Sequence, residues 1–400
     1  MGLEDLLGEL DRRLAGADAA LAADYPGDRW VRQPVHTVYV PADRYDARTV
    51  EAWGAQARDA LDAHGTAEQL AEVLRMPDDL AGDVYDRMRA KLEREPIEDL
   101  RIDFEDGYGN RPDEEEDAAV VAAARVGKRS PHYGLRIKCL EAPTRRRAVR
   151  TLDLFVKEGG VTDGFVVTLP KVTSVEQVET FVLVLETLER TYGTPELKFE
   201  IQVETPQAIL GADGTALIAR MIQAGGRRVT GLHYGTYDYS ASLGVAAAHQ
   251  SMEHPVADHA KDVMQLAAAG TGVFVSDGST NVLPVGDAVH AAWQLHFRLV
   301  RRSLARGIYQ GWDMHPAQLP TRYAATYLFF REGFDQAATR LRAYLGQGES
   351  GYLDEPATAA ALAAFVLRGL ECGAIDADEV DKLIGVDTAV LAKLARRPIP

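Results

Sequence analysis

The chain has 400 residues, 46% of them apolar, enough to bury a sizeable core as one large domain or two ordinary ones. Its 44 Lys and Arg stand against 60 Asp and Glu, a net charge of −16 that repels phosphate backbones and anionic membranes, so neither nucleic acid nor a membrane is an expected partner. Two distant cysteines, Cys139 and Cys372, suggest neither a disulfide framework nor a zinc site, and no stretch approaches the ~20 apolar residues of a membrane span, so a soluble cytoplasmic protein is expected.

In chain order, Met1 to Pro34 reads as an acidic amphipathic helix and a Pro/Gly linker. Strand-like runs follow at His36 to Val40, Asp99 to Phe104, Tyr133 to Ile137, Gly164 to Leu169, Leu197 to Val203, Val229 to Tyr234, Gly272 to Val275 and Gly307 to Met314. Most are short and rich in Val, Ile, Leu, Phe or Tyr, as buried parallel strands are. Helical periodicity lies between them. Ser174 to Tyr192 repeats Val175, Val178, Phe181, Val182, Leu185 and Leu188 at three and four, with Ser174 and Gln177 as a capping box. Pro206 sits just inside the start of another helix, and Ala288 to Arg306 is a third. Helices over Thr358 to Gly373 and Ala377 to Arg397 close the chain. Eight β-then-α units favour a (β/α)8 TIM barrel with extra N-terminal and C-terminal helices over an open doubly wound sheet. The expected organisation is residues 1–35 as helix and linker, 36–345 as catalytic barrel, and 346–400 as a helical extension. The terminal helices are expected to pack on the barrel or on a neighbouring subunit.

Barrel enzymes place their chemistry where strands end. Here those ends are charged: Asp103-Phe104-Glu105-Asp106, Arg136 and Lys138, Pro170-Lys171, Glu204-Thr205-Pro206, Gly235-Thr236-Tyr237-Asp238, Asp277 and Asp313. Carboxylates converging on one mouth repel unless a cation neutralises them. Glu204 and Asp238, from strands adjacent in order, are the best pair for Mg2+, with waters and substrate oxygens completing the shell. The competing reading makes them structural ion pairs with Arg or Lys. Arg136 offers a planar fork for a carboxylate or enolate oxygen, against a salt bridge to Glu105 or Asp106. Asp106 is either a base, directly or through water, or a turn residue before Gly107. His249, His254 and His259, five apart, share no helix face and are not expected to bind metal. The basic run Arg145 to Arg147 reads as a solvated helix face, and the acidic run Asp113 to Asp117 as a helix start favoured by the dipole. No dinucleotide, phosphate-loop, nucleophile-elbow or C-x-x-C motif is present.

Seven segments occur in the order of one family's motifs: His36-Thr37-Val38-Tyr39-Val40-Pro41, Asp103-Phe104-Glu105-Asp106, Leu135-Arg136-Ile137, Leu169-Pro170-Lys171-Val172, Glu204-Thr205-Pro206, Gly235-Thr236-Tyr237-Asp238 with Leu243-Gly244, and Gly307 through Gln318. From about His36 to Leu319 the chain resembles the HpcH/HpaI aldolase and citrate lyase β-subunit-like family; the second segment is also similar to malate synthases. The resemblance implies a Mg2+- or Mn2+-dependent carbon–carbon lyase or aldolase acting through an enolate of a 2-oxo acid or acyl-CoA thioester. It implies Glu204 and Asp238 as metal ligands, Arg136 at the enolate, and Asp106 where the aldolase branch has a histidine base. Lys138, Lys171, Gly235 and Thr236 would line the substrate, and trimers or hexamers would be the assembly. The chain departs from the family at Thr173, Lys138, Gln310 and Gly311, at the substrate and thioester end of the pocket. Lys138 there favours a dianionic substrate. Two other readings are a malate-synthase-like condensation of acyl-CoA with glyoxylate, and a non-catalytic ligand-sensing barrel.

Overall fold

The structure is a computed structural model that describes residues 2–29 and 31–395. Met1, Trp30, and the Arg396 and Arg397 expected to end the last helix lie outside the described residues. In chain order the elements are α1 (Leu3–Asp24), β1 (His36–Pro41), α2 (Thr49–His64), α3 (Ala67–Leu74), α4 (Asp78–Arg94), β2 (Asp99–Asp103), α5 (Asp113–Val126), β3 (His132–Arg136) and α6 (Arg145–Lys157). Then come β4 (Phe165–Leu169), α7 (Val175–Tyr192), β5 (Lys198–Val203), α8 (Pro206–Ile209), α9 (Leu217–Gly225), β6 (Val229–Tyr234), α10 (Thr236–Ser242), α11 (Pro255–Ala268), β7 (Phe274–Ser276), α12 (Val289–Ala305) and β8 (Gly311–Asp313). Four helices follow: α13 (Leu319–Tyr344), α14 (Pro356–Cys372), α15 (Ala377–Ile384) and α16 (Thr388–Ala395).

All eight strands run parallel in the order β7-β6-β5-β4-β3-β2-β1-β8. The β7–β8 seam closes through a bridge between Ser276 and Gln310 and an Asp277 N–H donating to Gln310 O at 2.9 Å. The result is the expected (β/α)8 barrel with added helices. The outward strand residues, among them Val38, Leu100, Ile102, Leu135, Val167 and Ile201, bury against the helix ring. No described helix is long and apolar enough to cross a membrane.

Local chemistry explains where the elements start and stop. Ser174 Oγ accepts from Gln177 N, as the capping reading requires, while the Gln177 side chain reaches back to Thr173 N at 2.8 Å, one residue before the cap. Pro206 opens α8, which lasts a single turn. The eighth strand is shorter than the sequence reading, because Gly307 adopts φ +79° in the turn that ends α12. The single helix expected from Ala377 is two, broken where Gly385 adopts φ +78° and Asp387 Oδ1 accepts from Val390 N. The terminal helices divide in behaviour. α14 to α16 bury Ala363, Val366, Val380 and Leu391 and join the barrel layer through Arg331–Glu379 and Arg87–Asp376 ion pairs. α1 buries no residue.

The barrel interior is polar along much of its axis. Arg101 grips Glu200 through two 2.9 Å bonds and also pairs with Asp99, while Thr168 and His233 bond the same glutamate. A cavity of about 920 Å3 lies below this layer, beside residues 26–29 and 31–34, and Asp99, Arg101, Glu200 and His233 in its lining pair with one another. At β8, Asp313 is buried between His36, His296 and Arg322, which ties β1, α12 and α13 to the last strand. Asp277 is buried against Lys261 and Ser303. Both strand-end aspartates are therefore committed to the scaffold.

Candidate active site at the strand ends

Side chains alternate faces along a strand, so i, i+2 and i+4 point the same way. Glu200, Gln202 and Glu204 form such a series on β5, and Asp99, Arg101 and Asp103 on β2; each ends at the C-terminal mouth. There they enclose a cavity of about 620 Å3 whose lining includes Tyr39, Asp103, Asp106, Arg136, Gln202, Glu204, Gly235, Thr236, Asp238, Trp312 and His315.

Arg136 forms the floor. Its Nε and Nη2 donate to the two oxygens of Asp103 at 2.7 and 2.6 Å, a bidentate clamp. The rings of Tyr39 and Trp312 flank the guanidinium at 4.7 and 5.3 Å. Nη1 makes only longer contacts, 3.4 Å to Gln202 and 3.6 Å to Glu105. Asp103 also accepts from Glu105 N and Gly107 N, so one carboxylate fixes both the arginine and the loop carrying Asp106. A Cβ on Gly107 would lie 2.5 Å from Asp103 Oδ2, which is why this turn needs glycine. Sequence reasoning offered Glu105 or Asp106 as the arginine's partner; the principal partner is Asp103, with Glu105 second.

Glu204 is 2% exposed. Its Oε1 accepts from the backbone N of Lys171 at 2.8 Å and its Oε2 from Gln202 Nε2 at 2.7 Å. Lys171 has φ +51°, a left-handed conformation uncommon for a side-chain-bearing residue and often found at functional sites. That turn aims its N–H at Glu204 and sends its ammonium across the rim to Glu105 at 2.5 Å, Asp106 at 2.9 Å and Asp238 at 3.6 Å. Gly235 lets the next loop approach: a Cβ there would sit 2.5 Å from Glu204 Cβ. Thr236 begins α10, which carries Asp238 to the rim.

The charges do not balance. Burial pushes the Glu204 carboxyl up to about 8; Lys171 and Arg136 oppose the shift, while Glu105 and Asp238 add to it. Burial likewise pushes Glu105 up to about 7, with Arg136 and Lys171 opposing and Asp106 adding to the rise. Asp106 is held below its ordinary value: burial would raise it, but hydrogen bonds with Glu105 and Lys171 outweigh that. Among the described residues no three His, Cys, Asp or Glu side chains are arranged to hold a metal ion. Two carboxylates with water and substrate oxygens suffice for Mg2+, and a buried Glu204 that holds a proton near neutrality fits a cation.

The structure thus brings Arg136, Asp106, Glu204, Asp238, Gly235 and Thr236 to one cavity, with Lys171 bridging its rim. Lys138 lies elsewhere: its Nζ donates to Phe104 O and Gly109 O and pairs with Glu116 at 3.1 Å, fastening the β2–α5 loop rather than facing a substrate. The basic and acidic runs neutralise each other through Arg147 with Glu116 and Asp117. His254 caps α11. Asp103 and Glu105 stand among the charged strand ends, Glu105 already as an expected partner of Arg136, whereas the clamp by Asp103 and the places of Gln202, Tyr39 and Trp312 are new. The period-two polar series on β2 and β5 is the sequence signal for Asp103 and Gln202.

A profile of a domain of unknown function, DUF6986, matches residues 14–399. No curated protein matches the sequence. A citrate lyase from Burkholderia xenovorans LB400 superposes with a TM-score of 0.61 at 18% identity, covering 89% of this chain and 98% of that one. A Haloferax volcanii malate synthase, in a magnesium/glyoxylate complex, superposes with a TM-score of 0.50 at 13% identity, covering 92% and 99%. The citrate lyase β subunit of M. tuberculosis, complexed with oxaloacetate and magnesium, gives 0.46 at 19%, covering 73% and 96%. The first two share the barrel fold of this chain.

Proposed function

The chain belongs to the DUF6986 family, and on that premise we propose that its barrel is a divalent-metal-dependent carbon–carbon lyase that works through the enolate of a 2-oxo acid or acyl-CoA thioester. The observation that carries this is the buried Glu204 carboxyl, held near neutral charge beside Glu105 and Asp238, with a clamped guanidinium on the floor of the same cavity. Ionising Glu204 in this buried setting is costly without a neighbouring cation, and a bound divalent metal would supply that charge.

Glu204 and Asp238 would hold the cation, Mg2+ or Mn2+, which when bound polarises the substrate carbonyl as a Lewis acid. Arg136 supplies the second stabilising charge. Asp103, Tyr39 and Trp312 fix its orientation in advance, so Nη1 meets an oxyanion without reorganising. Asp106, kept ionised by Lys171, takes the proton directly or through water. In cleavage the base would remove a hydroxyl proton, the O–H electron pair would form the carbonyl of the departing fragment as the carbon–carbon bond breaks, and the broken bond's pair would become the enolate C=C while the substrate carbonyl's π pair moves onto the oxygen facing Arg136. Gly235 and Thr236 shape the wall against which the substrate lies. The magnesium/glyoxylate complex of the Haloferax relative supports a small keto acid in this barrel type.

Mn2+ titration followed by electron paramagnetic resonance tests the metal pair. Glu204→Gln and Asp238→Asn should each weaken binding at least about ten-fold, the cost of ~1.4 kcal/mol in a lost ligand. Unchanged affinity in both variants contradicts the assignment.

A further inference from the structure

The first helix carries a pattern the catalytic reading leaves unused. Leu3, Leu7, Leu10, Leu14, Ala17 and Leu21 are spaced four, three, four, three and four apart. That is the alternation of a and d positions in a heptad, the seam along which helices pair in a coiled coil. In α1 this seam faces solvent: its leucines, with Leu6 beside them, are 39% to 70% exposed. The helix also contains Gly8 and Gly16, each costing about 1 kcal/mol against alanine. A 22-residue exposed helix with two glycines is marginal in water by itself. Both glycines fall off the seam, where they do not interrupt it.

We propose that α1 pairs in parallel with α1 of a second copy of this chain. The charges beside the seam select both partner and direction. With Leu7 and Leu14 at a, the e positions are Glu4, Asp11 and Asp18, and the g positions are Leu6, Arg13 and Ala20. A parallel pair sets g against the following e of its partner, so Arg13 meets Asp18 of the second copy, twice by symmetry. An antiparallel pair sets e against e, stacking carboxylate on carboxylate. Arg13 pairs within its own helix through Nε to Glu9 and keeps 71% of its side chain in solvent, so its terminal nitrogens can reach the second copy. The helix is held where it leaves the barrel. Gly27 N donates to Gly270 O at 2.8 Å, and Arg32 grips Glu95 at 2.9 and 3.0 Å, both at the N-terminal end of the strands. Pairing there lies opposite the charged mouth and leaves it open in both copies.

Cysteine cross-linking in the full chain tests this, because Cys139 and Cys372 are both buried. Mild oxidation of Leu14→Cys should give predominantly a covalent dimer on a non-reducing gel. Ala19→Cys, on the outward face, should stay a single chain, and adding Leu7→Glu to Leu14→Cys should abolish the dimer. Single chains throughout, or equal cross-linking of Leu14→Cys and Ala19→Cys, overturn the proposal. A mixture of Leu3→Cys and Leu21→Cys chains that prefers the mixed disulfide overturns the parallel arrangement.

Discussion

Glu204 is the residue on which the chemistry turns, and its proton has a measurable consequence. An ordinary carboxyl ionises near 4.5, whereas burial lifts this one to about 8. In the metal-free fold it binds a proton across that window, while in the unfolded chain it does not. Its contribution to stability is therefore fully present below about 4.5 and is lost as pH rises through about 8. Melting temperature without divalent metal should fall between pH 5 and 8, and added Mg2+ should flatten that fall by taking the proton's place. Calorimetry in buffers of different ionisation enthalpy should show proton release on Mn2+ binding at pH 6.5 that fades above about pH 8. A pH-independent melting temperature with no proton release would show that Glu204 is already a paired carboxylate. Part of this site is plain in the sequence, because an apolar run ending in a carboxylate places that group at a barrel mouth, as with Glu204 and Asp238. The partner of Arg136 is not plain. Which of three nearby acids it meets depends on the β2–β3 register, which pairs Asp103 with Arg136.

At the scale of elements, the site depends on loops that approach closely at strand ends. The β6–α10 junction passes so near β5 that a Cβ on Gly235 would meet Glu204 Cβ at 2.5 Å and its Oε2 at 2.8 Å. Gly235→Ala should therefore displace the carboxylate while leaving the far side of the barrel intact. We expect Mn2+ affinity to drop about ten-fold or more, with urea-induced unfolding shifted by about 1–3 kcal/mol, the usual cost of overpacking. Wild-type metal affinity in this variant would mean that Glu204 does not set the metal's position. Element boundaries are plain in the sequence where a residue carries its own local signal, such as Ser174 at the start of α7. They were read worst where a glycine conformation decides, as at Gly307 and Gly385. Lys138 shows a related limit. Its position after β3 is obvious, but its partners Phe104 O and Glu116 come from elements distant in sequence.

As a whole molecule, the barrel separates two tasks along its axis. The interior layer of Arg101, Glu200, Thr168 and His233 is internally paired and holds strands β2, β4, β5 and β6 together. The mouth above it is acidic, incompletely paired and open. The eight-strand repeat was legible because each unit is local, while the polar interior was not, since the apolar runs that mark strands draw attention to their outward faces. The reading that joins fold, mouth and chemistry is enolate formation under metal control. It is tested most directly by proton nuclear magnetic resonance of pyruvate in D2O with the protein and Mn2+ or Mg2+, together with a panel of other 2-oxo acids and acetyl-CoA. The account predicts metal-dependent exchange of the hydrogens next to the carbonyl in at least one of these compounds, with the rate reduced about 100- to 1,000-fold in Arg136→Gln and lost in Glu204→Gln. Exchange that proceeds equally without metal or with Glu204→Gln, or no exchange in any of them with metal bound, would contradict it.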